Sequence, residues 1–323
     1  MDRRTRTGLV LAALLLLADA WLIFPSSPRD RRESFVFRTM GTVACFTWHG
    51  TAAPAALKLN EQAAGAFARV VQTANLRDPG SELCRLNAAA GERDFACSPL
   101  MWAMLAEARF AWEFSGGAFD ITVKPLMDLW GFYRKRGTAP SDREIAEAKK
   151  RVGFGKLILD EKRHTVRFGI KGMALDLGGI AKGFALDLAA QAVPGTAAGV
   201  LDLGGNLKFL PAPRKGGGFY KVGIRDPAHP DRLTRHVIEA APGAAVSTSG
   251  DYERNVTYGG KVYGHIMDPA TGSPPEVRHA VTVVCPSAMR ADWLSTAVFL
   301  RGRELADKVE KEIPQSRVVI VGK

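Results

Sequence analysis

The pentapeptide "LDLGG" stands at Leu175–Gly179, where it runs on as "LDLGGIAKGFALD", and again at Leu201–Gly205, where it runs on as "LDLGGNLKF". Between the copies, Ile180, Phe184, Leu188 and Ala192 recur four apart, which predicts a helix over Ile180–Val193 that Pro194-Gly195 would end. Each copy reads as an apolar strand meeting a Gly-Gly turn, with glycine supplying positive φ and aspartate capping. That is sufficient for the second copy. In the first, bare backbone leads straight into a helix start with Lys182 one turn in, an arrangement that also suits phosphate oxygens. It matches neither a P-loop nor GxGxxG, so both readings stand.

Outward from this unit the texture is mixed. "SFVFRTMGTVACFTWHG" (34–50) reads as two β runs broken at Met40-Gly41-Thr42. Helices are expected at 52–71, from Ser81, over Pro99–Ser115 with Ser98 as cap, and over Ser141–Arg151. "FDITVKPLMDLWGF" reads as a short β segment joined to an apolar turn, and "MALDLGG" as a strand. "KLILD" and "HTVRFG" form a predicted hairpin. Five further β segments run from "GVLDLGG" to "AVTVVCP", followed by a helix at Met289–Leu300 and a terminal strand "SRVVIVG". Hairpin-like connections between many short strands indicate an α+β fold rather than a doubly wound sheet.

The chain has 323 residues, 46% of them hydrophobic, which is ample for a large core. Forty-four Lys and Arg against 33 Asp and Glu leave a net charge of +11, which favours anionic ligands. No basic stripe interleaved with aromatics and no nucleic-acid-binding motif accompanies that charge, so nucleic acid is not an expected partner. Residues 1–30 read as a signal peptide or N-terminal signal anchor. "MDRRTRT" is basic, "GLVLAALLLLADAWLIF" is apolar, and Ala18-Asp19-Ala20 has the small-x-small form of a cleavage site. Both options export the body, 31–323, with the basic end left in the cytoplasm. Cys45, Cys84, Cys97 and Cys285 form no CxxC pair, and their spacing establishes no bridge.

Chemistry-bearing residues are scattered. Asp292 and Thr296 in "RADWLSTAVFL" lie four apart on one helix face, which suits a helix cap with a buried Thr bonding to its own backbone, or a carboxylate and a hydroxyl offered as hard oxygen donors to Mg²⁺. His265 in "YGHIMDPATG" sits between a strand end and a tight turn. "STSGDYER" puts Thr248, Ser249 and Gly250 at another such junction.

Taken in order, "MGT", "SELCRLN", "GGAFDITVKPLMDLW", "LDLGGIAKGFALD", "LDLGGN", "VGIRDP", "STSGDYER", "GHIMDPATGSP" and "ADWLSTAVFL" resemble the ApbE family, the FAD:protein FMN transferases, over about residues 35–305. The resemblance implies a T-fold-like α+β body of mixed, largely antiparallel sheets with flanking helices. It implies Mg²⁺-dependent cleavage of the FAD diphosphate, transfer of FMN to a Thr or Ser of an exported or membrane target protein, and release of AMP. FAD contacts would fall on Met40, Ala118, Phe119, Asp120, Asp176, Lys182, Gly205, Thr248 and Ile266. The metal would take Asp292, Thr296 and the backbone carbonyl of Gly179, where the family commonly has alanine. His265 would be the base that activates the acceptor hydroxyl. An FAD diphosphatase sharing these sites and a non-catalytic exported flavin-binding protein are the alternatives.

Overall fold

The computed structural model describes residues 31–212, 218–229, 231–250, 255–276 and 279–322, together with the backbone of Ala20–Ile23. The remainder of the expected signal segment lies outside the described residues. Among the described residues no helix is long and apolar enough to cross a membrane.

The central sheet has seven antiparallel strands: β1 (Arg32–Thr39), β2 (Thr42–His49), β3 (Gly199–Leu203), β4 (Asn206–Phe209), β5 (Ala245–Gly250), β6 (His279–Cys285) and β7 (Arg317–Gly322). They lie side by side in chain order. The β1–β2 and β3–β4 pairs close through two-residue turns, Met40-Gly41 and Gly204-Gly205, with all four residues at positive φ. Such turns match the right-handed twist of the flanking strands. The two turns touch: a Cβ on Gly204 would lie 2.5 Å from Thr42 Oγ1, and the Gly204 N–H donates to the Val43 carbonyl at 3.0 Å.

Both sheet faces are covered, so strand residues on either side are apolar. One face packs against helices α1 (Ala53–Ala74), α2 (Pro99–Phe114), α3 (Ala181–Gln191) and α4 (Ala288–Arg301), burying Phe46, Leu201, Leu203, Val281 and Val283. The other packs against a smaller sheet in which Tyr220–Arg225 pairs with Ala20–Ile23 and Leu233–Ala240. There Val200, Leu207 and Phe209 meet Val222, Ile224 and Tyr220, with the Phe209 and Tyr220 rings stacked at 4.3 Å. Each such fully buried side chain contributes about 1.5–3 kcal/mol.

The helix caps follow the sequence. Ser81 Oγ accepts from Cys84 N–H, Ser98 Oγ accepts from Met101 N–H with Pro99 opening α2, and Ser141 with Glu144 forms a reciprocal capping box. Two expectations are corrected. "FDITV" is not β but a 3₁₀ turn, Ile121–Val123, followed by the helix Lys124–Leu129, because the Asp120 carboxylate accepts the Thr122 N–H and starts the turn. "MALDLGG" is not a strand. Its backbone is held by a side chain instead: Asn87 accepts from Leu175 N–H at 2.7 Å and donates to the Leu175 carbonyl at 3.0 Å.

All four cysteines are free thiols. Burial pushes Cys45 up to about 11 and Cys97 and Cys285 up to about 12, where thiolate is scarce at neutral pH. Alkylation of the folded protein at neutral pH is therefore expected to spare these three, with all four reacting after unfolding without reductant. Fewer than four adducts by intact mass would reveal a bridge.

Candidate active site

The same five letters serve two physical ends. In the second "LDLGG", Asp202 Oδ1 accepts from Gly205 N–H at 2.9 Å and the glycines take the positive φ values of the hairpin. In the first, Asp176 Oδ1 accepts from Gly178 N–H at 2.8 Å, but neither glycine has a positive φ. Here the glycines sit close against side chains instead. A Cβ on Gly179 would lie 3.0 Å from the Phe119 ring and 3.9 Å from Thr296 Oγ1. The glycine pair thus abuts α4, which carries Asp292 and Thr296.

Helices α3 and α4 cap one another. Asp292, 3% exposed, accepts from Gly183 N–H in the first turn of α3 at 3.0 Å. Asp187 on α3 accepts from Ala288 and Met289 N–H at the start of α4, at 2.9 and 3.0 Å. Neither helix terminus leaves these donors unmet, and each carboxylate meets the positive end of the other's dipole. A Cβ on Gly183 would stand 2.0 Å from the Ala288 carbonyl oxygen, so the crossing admits only glycine.

Asp292 is therefore both a cap and a wall of the cavity. Its Oδ1 accepts from Lys182 Nζ at 3.0 Å and from Asn206 Nδ2 at 2.8 Å. A carboxylate offers about four lone-pair sites, so three bonds leave one for a cation. Thr296 Oγ1 lies one helical turn on, 3.2 Å from Ser249 Oγ. Among the described residues no three His, Cys, Asp or Glu cluster as metal ligands. A single carboxylate, a hydroxyl and a glycine backbone against them fit Mg²⁺, which takes few protein oxygens and completes its shell with water and phosphate.

A cavity of about 540 Å³ opens from this point. Its wall includes Met40, Ala118, Phe119, Asp120, Asp176, Gly179, Lys182, Thr248, His265, Ile266, Asp292 and Thr296. Of the residues expected from the sequence, only Gly205 is not in the wall; its neighbour Gly204 is. Asp120 spends one oxygen on the Thr122 hydroxyl and amide and the other on Phe154 N–H. Burial still pushes its carboxyl above the ordinary value, against those bonds. Asp176 Oδ2 accepts from the Tyr133 hydroxyl.

His265 is carried by a separate aromatic cluster. Tyr258 and Tyr263 of the hairpin Asn255–Gly264 pack on Trp130, whose Nε1 donates to the Gly272 carbonyl at 2.9 Å. The hairpin and the following turn, closed by the Asp268–Ser273 bridge, leave His265–Met267 between them facing the cavity.

Sequence reasoning missed Arg38, Tyr133 and Arg225, all in the cavity wall. Arg38 and Arg225 are strand-end cations that become neighbours of the site only through sheet pairing. Tyr133 follows an apolar turn with no periodic signal. Arg38, Lys182 and Arg225 bring three cationic heads to a wall that also holds Asp120, Asp176 and Asp292, so the cavity can meet phosphate oxygens and a cation together.

The model of the ApbE family matches residues 40–320. The FAD:protein FMN transferase of Treponema pallidum is 34% identical over 262 residues, covering 76% of this chain and 71% of its own length. That of Vibrio cholerae is 32% identical over 247 residues, covering 74% and 72%. The crystal structure of the ApbE protein from Thermotoga maritima has a TM-score of 0.82 at 29% identity, covering 90% of this chain and 94% of that one.

Proposed function

We propose that this chain, which belongs to the ApbE family, is an FAD:protein FMN transferase. The observation that carries this reading is the single cavity whose wall joins Asp292, Thr296 and the glycine pair 178–179 to His265 and to Lys182. It offers cations for a diphosphate, hard oxygens for Mg²⁺ and a base for an incoming hydroxyl.

In this reading Asp292, Thr296 and the Gly179 carbonyl would hold Mg²⁺, which would supply positive charge against the phosphate oxygens. Lys182, Arg38 and Arg225 orient the phosphate oxygens. Met40, Phe119, Thr248 and Ile266 line the space for the flavin nucleotide. His265 removes the proton from a Thr or Ser hydroxyl of the acceptor protein. That oxygen bonds to the FMN phosphorus while the bond to the adenylate phosphate breaks, and AMP departs with the electron pair. The N-terminal segment supports a place on the periplasmic side of the inner membrane, anchored or released, where an exported or membrane acceptor is met.

Incubation with FAD, Mg²⁺ and an acceptor protein should give an acceptor heavier by one FMN by intact mass, with AMP in the supernatant. Free FMN and AMP without an adduct would show hydrolysis instead. His265→Ala is expected to lower adduct formation by about 10²–10⁴-fold, the usual worth of a general base. FAD binding, followed by flavin fluorescence, should persist. Transfer at the wild-type rate would remove His265 from the role.

A further inference from the structure

Asp292 and Thr296 are joined a second time, through the interior instead of across the cavity. Asn206, 3% exposed at the start of β4, donates from Nδ2 to Asp292 Oδ1, and its Oδ1 accepts from Ser247 Oγ at 2.8 Å. Ser247 Oγ lies 3.3 Å from Ser295 Oγ, which lies 2.8 Å from Ser249 Oγ, and Ser249 Oγ lies 3.2 Å from Thr296 Oγ1. The chain starts at one hard-oxygen donor and ends at the other.

Proton counting gives the chain a direction. An amide oxygen only accepts and each hydroxyl carries one proton. Ser247 must therefore donate to Asn206, which spends its proton. Ser295 donates to the Asp292 carbonyl at 2.9 Å, which leaves its oxygen to accept from Ser249 at 2.8 Å. Thr296 has two acceptors for its proton, Ser249 at 3.2 Å and the Asp292 carbonyl at 3.4 Å. With either one the proton of Thr296 is spent on a protein oxygen, and a lone pair remains for a ligand.

The bland account is a hairpin residue that happens to be polar. The ladder between β3 and β4, however, uses only the backbone of Asn206, which pairs with Leu203. A β-branched apolar residue would serve that strand position better. An amide buried next to a carboxylate also differs from Lys182 beside it, because it orients the oxygens without cancelling their charge.

Resting on the metal reading above, we infer that Asn206 is the positioning residue of the divalent-cation site. It fixes the Asp292 carboxylate, with Ser247 holding the amide in place. Partners that orient metal ligands are typically worth about 10–100-fold in metal affinity.

The test is Asn206→Leu, read first without turnover. Mn²⁺ binding to the protein alone, followed by loss of the free-ion EPR signal and by Mg²⁺ competition, is expected to weaken by about 10–100-fold. FAD binding without divalent ion should hold. In the transfer assay the Mg²⁺ concentration for half-maximal rate should rise by the same factor, with a smaller fall in the rate at saturating Mg²⁺. Ser247→Ala, a milder change that removes only the donor to Asn206, should shift Mn²⁺ affinity the same way by less, and it decides the matter if the leucine variant does not fold. Wild-type Mn²⁺ affinity in the variants, or FAD affinity falling as far as Mn²⁺ affinity, would overturn the role of Asn206 alone. A wild-type protein that binds neither Mn²⁺ nor Mg²⁺ would overturn it together with the metal reading.

Discussion

Asp292→Ala is expected to reduce FMN transfer by roughly 10²–10³-fold, the scale on which loss of one preorganised charge-stabilising group is felt. The change removes the carboxylate that joins α3 to α4 and lines the cavity beside Thr296. It also strands the buried Gly183 N–H and Asn206 Nδ2, at about 1–3 kcal/mol for each unmet donor. A lower melting temperature should therefore accompany the lost activity. Asp292→Asn separates the two effects, since it keeps the shape while removing the charge. Adduct formation within tenfold of wild type in the alanine variant, at any Mg²⁺ concentration, would place the metal elsewhere.

Gly183→Ala sets helix propensity against packing. By propensity alone alanine should stabilise a helix interior by about 0.8–1.0 kcal/mol. The added carbon would however stand 2.0 Å from the Ala288 oxygen, 2.4 Å from its carbonyl carbon and 2.7 Å from Met289 Cα. All three are backbone atoms and cannot rotate aside. Overpacking ordinarily costs about 1–3 kcal/mol, and here relief requires the helices to part. Parting breaks the caps that Asp292 and Asp187 provide, each typically worth about 1 kcal/mol. A melting temperature lower by about 10 °C is expected, from about 2–4 °C per kcal/mol in a domain of this class. Gly65→Ala on α1, where nothing lies within 4 Å, is the control and should stabilise slightly. A rise in melting temperature for Gly183→Ala would refute the close crossing.

What the sequence disclosed was local. Ser81, Ser98 with Pro99, and Ser141 with Glu144 carry their helix starts in adjacent residues, and the structure has each of them. The hairpin at Met40-Gly41 and the Gly204-Gly205 turn are equally self-contained. The failures share a cause. Leu175 looks like strand because its neighbours are apolar, but its hydrogen bonds go to Asn87, 88 positions away in sequence. The "FDITV" segment has strand composition, and a single Asp120 carboxylate turns it into a 3₁₀ start. Asn206 appears as one polar letter after a double glycine. Its weight comes from Asp292, Ser247 and Ser295, which only the folded sheet and α4 bring within reach.

The order of the central sheet bears on how the chain is assembled. Strands β1 and β2 can zip together as soon as His49 has emerged, but the next partner of β2 begins only at Gly199. Throughout synthesis of everything between, a strand whose inner residues include Phe46 and Trp48 presents an unpaired edge. The nascent protein is then at its most adhesive, and a chain cut short before Gly199 would keep that exposed ladder permanently. The long insertion that carries α1, α2 and α3 thus imposes a waiting period that a chaperone would have to cover.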